Sequence, residues 1–373
     1  MIETLPNTSA LATRLRARIK DEGPITFHDW MKAALYDSDD GYYCRPDRSR
    51  WGREGDYRTS PERSSLFAAT FARFFATVHA QLGRPASWTI LEAGAGEGHF
   101  ADTLLQALDK SFPNVFAATL YVIDELSPTS AERARERLPR FGDRVQFRHL
   151  DEVEIDVGVV FSNELLDAFP VHRITLHGGE LKEFYVTLGE SENFEWLLDA
   201  PSQQLSSRLS GYFDAIGKQP EEGQVVEVSF ESEKWLQRVA ARMRNGYVIT
   251  VDYGAAAEDL YSPFADRRGT VRGFQQHQFV DDLLASPGEH DLTTTVNWSF
   301  VKAVGASVGL EFMGLTRQDQ FLLANGFLEQ LEVESSRAKD EAERIQLSSA
   351  AREMILPDGM AAHFQVLVQK KTS

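Results

Sequence analysis

The sequence holds a single cysteine, Cys44. No disulfide can form within the chain, and a reducing compartment is expected. Tyr42 and Tyr43 beside it suit a half-buried small residue better than a nucleophile. No apolar run is long enough to cross a bilayer, and the N-terminus has no signal-peptide core. Arg14, Arg16 and Arg18 invite comparison with a transit peptide. Leu11, Leu15 and Ile19, at four-residue intervals, instead give an ordinary amphipathic helix. A dense basic stripe is also missing. The formal net charge is −17, which argues against broad nucleic-acid or anionic-membrane binding, because phosphates need a basic face. There is no internal repeat, no low-complexity tract, and no His/Cys/Asp cluster with metal spacing.

What is present is organised around Thr89-Ile90-Leu91-Glu92-Ala93-Gly94-Ala95-Gly96-Glu97-Gly98-His99-Phe100. A short apolar strand ends on an acid and runs into a glycine-rich turn. A helix then opens, with Phe100, Leu104, Leu105 and Leu108 on one face. Glycines let such a turn bend tightly and bring a ligand against backbone N–H groups. A dinucleotide fingerprint would need its last glycine at position 99, which is His99. The pattern E-x-G-x-G-x-G resembles motif I of the Rossmann-like S-adenosylmethionine (SAM) methyltransferases. Glu92 near a cationic methionine moiety makes electrostatic sense, whereas beside a pyrophosphate it would repel.

A chain of 373 residues can hold one large α/β domain with insertions, or two domains. Helices are expected at 9–21, after Thr26, and from Pro61 through Val78. Strands follow at 88–92, Phe116–Asp124, Val145–His149 and Val157–Ser162. An acid at the end of the second strand is where a ribose diol is held. Glu125 is preferred to Asp124, since Ser127-Pro128 starts the next helix and leaves Glu125 at the tip. Asp151 can meet an adenine amino group. Beyond strand four, residues 171–245 read as a hairpin with added helices and strands. Strand five is Gly246–Val251, residues 255–298 are loop-rich without regular period, and the last strand is Phe364–Val368.

These stretches together resemble the MidA-type methyltransferases. That family includes the mitochondrial arginine methyltransferase required for respiratory complex I assembly. The resemblance rests on Ile25 to Trp30, Asp40 to Tyr43, Gly55 to Glu62, Glu92 to Gly98 and Asn163 to Val171. It extends through Val251 to Gly254, Val271 to Phe274 and Pro287 to Asn297. Ala95 stands where the family commonly has proline, a mild departure. Met360-Ala361 replaces an expected Met-Gly near the C-terminus.

The resemblance implies an α/β fold with a Rossmann-like methyltransferase sheet, mostly parallel with an antiparallel last strand. It implies an N-terminal helical cap over 1–86, a core interrupted at 171–245 by an α+β insertion, substrate-side loops over 255–298, and SAM as cofactor. The expected cofactor set is Glu92, Gly94, Gly96, Gly98, Glu125, Asp151 and Asn163, with Thr59 and Ser60 shaping the cap. Strand four delivers Glu164 and Asp167 to the methyl group. Their i, i+3 spacing lets both face one side if that turn is helical. His277 is a candidate proton acceptor and Arg272 a carboxylate anchor. Asp252 serves either the site or its loop.

The activity the resemblance implies is methylation of a protein arginine, on a respiratory-complex subunit. A binding protein with a non-catalytic SAM pocket and a small-molecule methyltransferase are the alternatives. Expected partners are a protein substrate, with no nucleic acid and no membrane insertion; homodimer formation is left open. The expected location is the cytoplasm for a bacterial chain and the mitochondrial matrix for a eukaryotic one.

Overall fold

The computed structural model describes residues 9–45, 65–275, 278–356 and 363–373. Helix α1 (Ala10–Glu22) starts at Ser9, whose hydroxyl accepts the Ala12 N–H at 3.2 Å. After β1 (Ile25–Thr26), α2 (Phe27–Tyr36) is capped by Thr26 Oγ1, which accepts the Asp29 N–H at 3.1 Å. Then come α3 (Ser65–Gln81), β2 (Trp88–Ala93), α4 (His99–Ser111), α5 (Pro113–Ala118) and β3 (Thr119–Asp124). Helix α6 (Pro128–Arg137), β4 (Val145–Phe147) and β5 (Ile155–Asn163) follow.

The next stretch contains β6 (His172–His177), β7 (Glu180–Leu188), β8 (Phe194–Asp199), α7 (Gln203–Ile216) and β9 (Val225–Val228). Helix α8 (Phe230–Arg242) leads into β10 (Met243–Ala255) and the short α9 (Ala257–Leu260). Strands β11 (Arg272–Gln275), β12 (Gln278–Val280), β13 (Asp291–Thr293) and β14 (Val296–Asn297) precede α10 (Trp298–Ser307). The chain closes with β15 (Leu310–Arg317), α11 (Gln318–Ala324), α12 (Phe327–Arg337), α13 (Glu341–Ile355) and β16 (Phe364–Lys371).

The chain folds as two compact units. One comprises Met1–Tyr57, Leu166–Lys234 and Ala255–Val304; the other comprises Arg58–Leu165, Trp235–Gly254 and Gly305–Ser373. In the second unit the strand order is β15-β16-β10-β5-β2-β3-β4. Strands β3, β2, β5 and β10 run parallel, and β16 is antiparallel to both β10 and β15. This is the mostly parallel sheet with one reversed strand that the family resemblance implies. The direction of strand succession changes between β2 and β5, so a crevice opens at their carboxyl ends. That is where the glycine turn lies.

The two faces of this sheet are sorted by residue parity. Ile90, Val159, Phe161, Ile249 and Val251 fall on one side and join α3 and α4 in a continuous apolar core. Phe161 is its hub: its ring stacks on Phe100 with centroids 4.2 Å apart and meets Phe71 at 5.2 Å. The first unit carries its own sheet, ordered β1-β7-β6-β9 with β8 on β7, and its own core around Phe27, Trp30 and Ile25.

Three differences from the sequence reading have local causes. The second core strand starts at Thr119 rather than Phe116, because Pro113 opens a helix that holds residues through Ala118. The stretch 255–298 contains a small sheet, β12-β11-β13, whose strands are three or four residues each and leave little periodic signal. Strand β1 is only two residues long, yet it pairs with β7 through Ile25 opposite Val186. Among the described residues, no helix is long and apolar enough to cross a membrane.

Replacing Phe161 with Ala should cost about 3–5 kcal/mol, since it empties the centre of a closed aromatic cluster. Urea unfolding of the variant checks this; a loss below about 1 kcal/mol would show that the ring is not the hub of this core.

Candidate functional site

The turn after β2 takes its shape from three glycines in the left-handed region: Gly94 at φ 69°, Gly96 at φ 55° and Gly98 at φ 75°. A side chain is strained at each of these angles. Space is also short at two of them. A Cβ on Gly94 would lie 3.0 Å from Leu165 Cδ1, and one on Gly98 3.1 Å from the Cβ of Ala134. The turn is tied to the end of β3 by backbone and side chain. Gly94 N–H donates to the Asp124 carbonyl at 2.8 Å, and Gly96 N–H donates to Glu125 Oε2 at 2.8 Å.

Two neighbouring acids at the tip of β3 have different employment. Asp124 faces β4: its Oδ2 accepts the Leu150 N–H at 3.1 Å and its Oδ1 lies 3.2 Å from His149 Nδ1. Glu125 faces the glycine turn, and its Oε1 also accepts the Ser127 N–H at 2.7 Å. Asp151 stands in a short 3-10 turn with its side chain 52% exposed, 3.3 Å from Arg238. An exposed ion pair of this kind contributes little and leaves the carboxylate accessible.

Glu92 lies on the core side of β2, where register sets it opposite Ile123 and Phe161. Its Oε2 accepts the Tyr121 hydroxyl at 2.6 Å. Full burial pushes its carboxyl up to about 8, against the lowering effect of the Tyr121 hydrogen bond; the Glu125 charge adds a further upward push. The same burial raises Tyr121 well above an ordinary tyrosine. In the protein without ligand, Glu92 is therefore largely neutral at pH 7 and shares a short hydrogen bond with a neutral phenol.

At the tip of β5, Asn163 Nδ2 donates to Glu164 Oε1 at 3.1 Å. Glu164 itself sits at φ 52°, one of few non-glycine residues in the left-handed region. Its N–H is held by the Val251 carbonyl at 2.9 Å. The bend is braced from β10: Asp252 accepts the Leu165 N–H at 3.2 Å and the Tyr253 N–H at 2.9 Å. Asp252 thus performs the loop-capping role. The chain passes from one compact unit to the other between Leu165 and Leu166. Asp167, in the first unit, is buried, and its backbone carbonyl accepts the Thr294 N–H at 2.9 Å.

Arg272 is an exposed β11 residue opposite Thr293. Thr59, Ser60 and His277 lie outside the described residues. Reading the sequence did not find Tyr121, whose tie to Glu92 depends on strand register. Nor did it find Leu165, which fills the space beneath Gly94. The described residues contain no group of His, Cys, Asp or Glu able to hold a metal ion.

A left-handed glycine turn at the switch point, with a carboxylate from the next strand tip bonded to its central N–H, fits an adenosyl cofactor. The strand-tip carboxylate is an acceptor for ribose hydroxyls, and the glycines carry no side chain to keep a ligand off the backbone. A family model described as "Putative S-adenosyl-L-methionine-dependent methyltransferase" matches residues 70–316. The chain belongs to that family. It is a methyltransferase, and its cofactor is SAM.

Relatives agree over nearly the whole length. The chain is 28% identical over 341 residues to the Drosophila melanogaster protein named "Protein arginine methyltransferase NDUFAF7 homolog, mitochondrial", spanning 84% of this chain and 74% of the relative. The Xenopus tropicalis protein arginine methyltransferase NDUFAF7 is 24% identical over 383 residues, spanning 96% of this chain and 85% of the relative. A crystal structure from Burkholderia thailandensis, bound to S-adenosyl-homocysteine, superposes with a TM-score of 0.83 at 27% identity. That match covers 99% of this chain and 95% of the other.

The raised Glu92 group has a signed consequence for stability. Its folded pKa lies above its unfolded value, so its favourable contribution is full below about pH 4.5 and is lost as pH rises through about 8. In the ligand-free protein, Glu92→Gln should therefore flatten the stability profile across that window. Urea titrations at several pH values measure it; parallel profiles for mutant and wild type would contradict the assignment.

Proposed function

We propose that the methyl acceptor is an arginine side chain of a protein, and that Glu164 grips its guanidinium. The observation that carries this reading is the position of Glu164. It is a carboxylate held in left-handed backbone at the tip of β5, with one oxygen fixed by Asn163. Strained backbone of this kind persists where surrounding structure over-determines it, often at functional sites. The Drosophila and Xenopus relatives, named as protein arginine methyltransferases, support the arginine. The MidA-type resemblance points to a respiratory-complex subunit as the protein that carries it.

SAM supplies the activated methyl group. The cofactor is assigned to Glu92, Gly94, Gly96, Gly98, Glu125, Asp151 and Asn163, with Thr59 and Ser60 at its cover. Glu125 takes the ribose hydroxyls, because its carboxylate lies against the glycine turn whereas that of Asp124 points to the segment after β4. A guanidinium has five donors, no free lone pair and a pKa above 12. A carboxylate bonded to two of its nitrogens localises the positive charge there and leaves the third nitrogen more nucleophilic. Glu164 performs that task, with His277 proposed as the proton acceptor; Asp167, proposed from its i, i+3 spacing, follows a bend and not a helical turn, so that spacing does not put it on the face of Glu164. Methyl transfer needs the nucleophile about 3 Å from the reacting carbon and in line with the departing bond.

The test is mass spectrometry of lysate proteins incubated with the purified chain and isotope-labelled SAM. Label should appear on arginine. Gly96→Val should abolish SAM binding, because a β-branched residue is poorly tolerated at φ 55°. Glu164→Gln should keep SAM binding and lower turnover by about a hundredfold, the usual cost of one preorganised charge contact. Label found only on small molecules would replace the protein substrate. SAM binding with no transfer to any acceptor would make the chain a binding protein.

A further inference from the structure

The glycine turn is held by its own strand at one end only. Its far end is gripped by α6, through Glu97, which the cofactor assignment does not use. The Glu97 carboxylate is mostly buried, with a side-chain exposure of 12%, and Oε1 is bonded to the Arg133 guanidinium. Arg137, one helical turn further along α6, donates from Nε to the Glu97 backbone carbonyl at 2.9 Å and reaches Glu97 Oε2 at 3.9 Å. His99 adds a ring nitrogen 3.8 Å from the same carboxylate. The carboxyl is held down to about 2 by the neighbouring His99 ring and the Arg133 guanidinium, which outweigh its partial burial.

We infer that Arg133 and Arg137 are positioning residues for the cofactor: through Glu97 they fix the turn in the conformation that binds it. The reasoning is geometric. Gly94, Gly96 and Gly98 are each free to leave the left-handed region, so a turn containing three of them is poorly fixed by its own backbone. Four ties from the β3–α6 segment remove that freedom: Asp124 to Gly94, Glu125 to Gly96, Arg133 to the Glu97 side chain, and Arg137 to the Glu97 carbonyl. Helix α6 is also capped by Ser127, two residues after Glu125. One rigid helix therefore sets the turn and the ribose carboxylate in a common frame. A Cβ on Gly98 would meet the Cβ of Ala134 at 3.1 Å, so the turn and α6 run close together there. Charge-assisted bonds of this type are stronger than neutral ones.

The inference rests on reading residues 94–98 as the cofactor turn, and the test separates the two. S-adenosyl-homocysteine affinity is measured by calorimetry on the full chain and on Glu97→Gln, Arg133→Gln, Arg133→Lys and the double variant Glu97→Gln/Arg133→Gln. Each neutralising single change should weaken binding roughly tenfold, in line with the cost of a small misplacement of a preorganised site. The double variant should be little worse than either single one, since both remove the same tie. Arg133→Lys should recover most of the affinity, and in transfer assays the loss should fall on KM for SAM more than on kcat.

Arg140→Gln is the matched control. It breaks an ion pair between the segment after α6 and Asp102 on α4 without touching the turn, and it should bind as wild type does. If a neutralised clamp variant melts below the assay temperature, it and Arg140→Gln are compared at a lower temperature at which both are folded, and their difference decides the case. Wild-type affinity in Glu97→Gln and Arg133→Gln, or equal losses in Arg140→Gln, overturns the clamp. Retained binding in Gly96→Val would instead overturn the turn assignment itself.

Discussion

Everything at this site depends on one hydrogen bond, Gly96 N–H to the Glu125 carboxylate at 2.8 Å. It joins two structures that the chain builds separately: a turn that only glycines can make, and an acid at the tip of the neighbouring strand. The bond exists because β2 and β3 run parallel in matched register, Ala93 opposite Asp124, so that both strands end at the same level. Parallel pairing of this kind requires a crossover, and α4 with α5 provides it between the turn and β3. The apolar face of α4, with Phe100 on Phe161, then fixes the height of the turn above the sheet.

The acids around this bond are sorted by environment rather than by type. Glu92 is fully enclosed and pushed up to about 8. Glu97, in reach of two arginines and a histidine, is held down to about 2. Five residues apart in sequence, these two carboxylates thus differ in charge at pH 7. The strand explains the first, because alternation turns Glu92 toward the apolar side. The helix explains the second, because Arg133 and Arg137 lie four residues apart and so share one face. A further acid, Asp252, is spent on two backbone N–H groups and shapes the bend that carries Glu164.

Much of this was legible in the residues. The strand-acid-glycine sequence located the turn, the apolar run Val157–Phe161 located a doubly covered strand, and His177-Gly178-Gly179-Glu180 located the β6–β7 hairpin. Thr26 marked the start of α2, and the spacing of Leu11, Leu15 and Ile19 marked α1. What could not be read needed long-range register. Tyr121 meets Glu92 only because β2 and β3 align, and the sharing of α6 between turn and ribose acid follows from packing rather than pattern. Strands of two to four residues, such as β1 and β11, are too short for alternation to register. The division of the chain between Leu165 and Leu166, which sends Glu164 and Asp167 to different compact units, left no compositional mark at all.

The most direct measurement is a crystal structure of this chain with S-adenosyl-homocysteine bound. The account predicts the ribose hydroxyls on the Glu125 carboxylate, the amino-acid end along the backbone of Gly94 to Gly98, and the sulfur directed toward the tip of β5 at Asn163 and Glu164. Ligand density away from the 94–98 turn, or a ribose held by Asp124 with Glu125 turned to solvent, would contradict it.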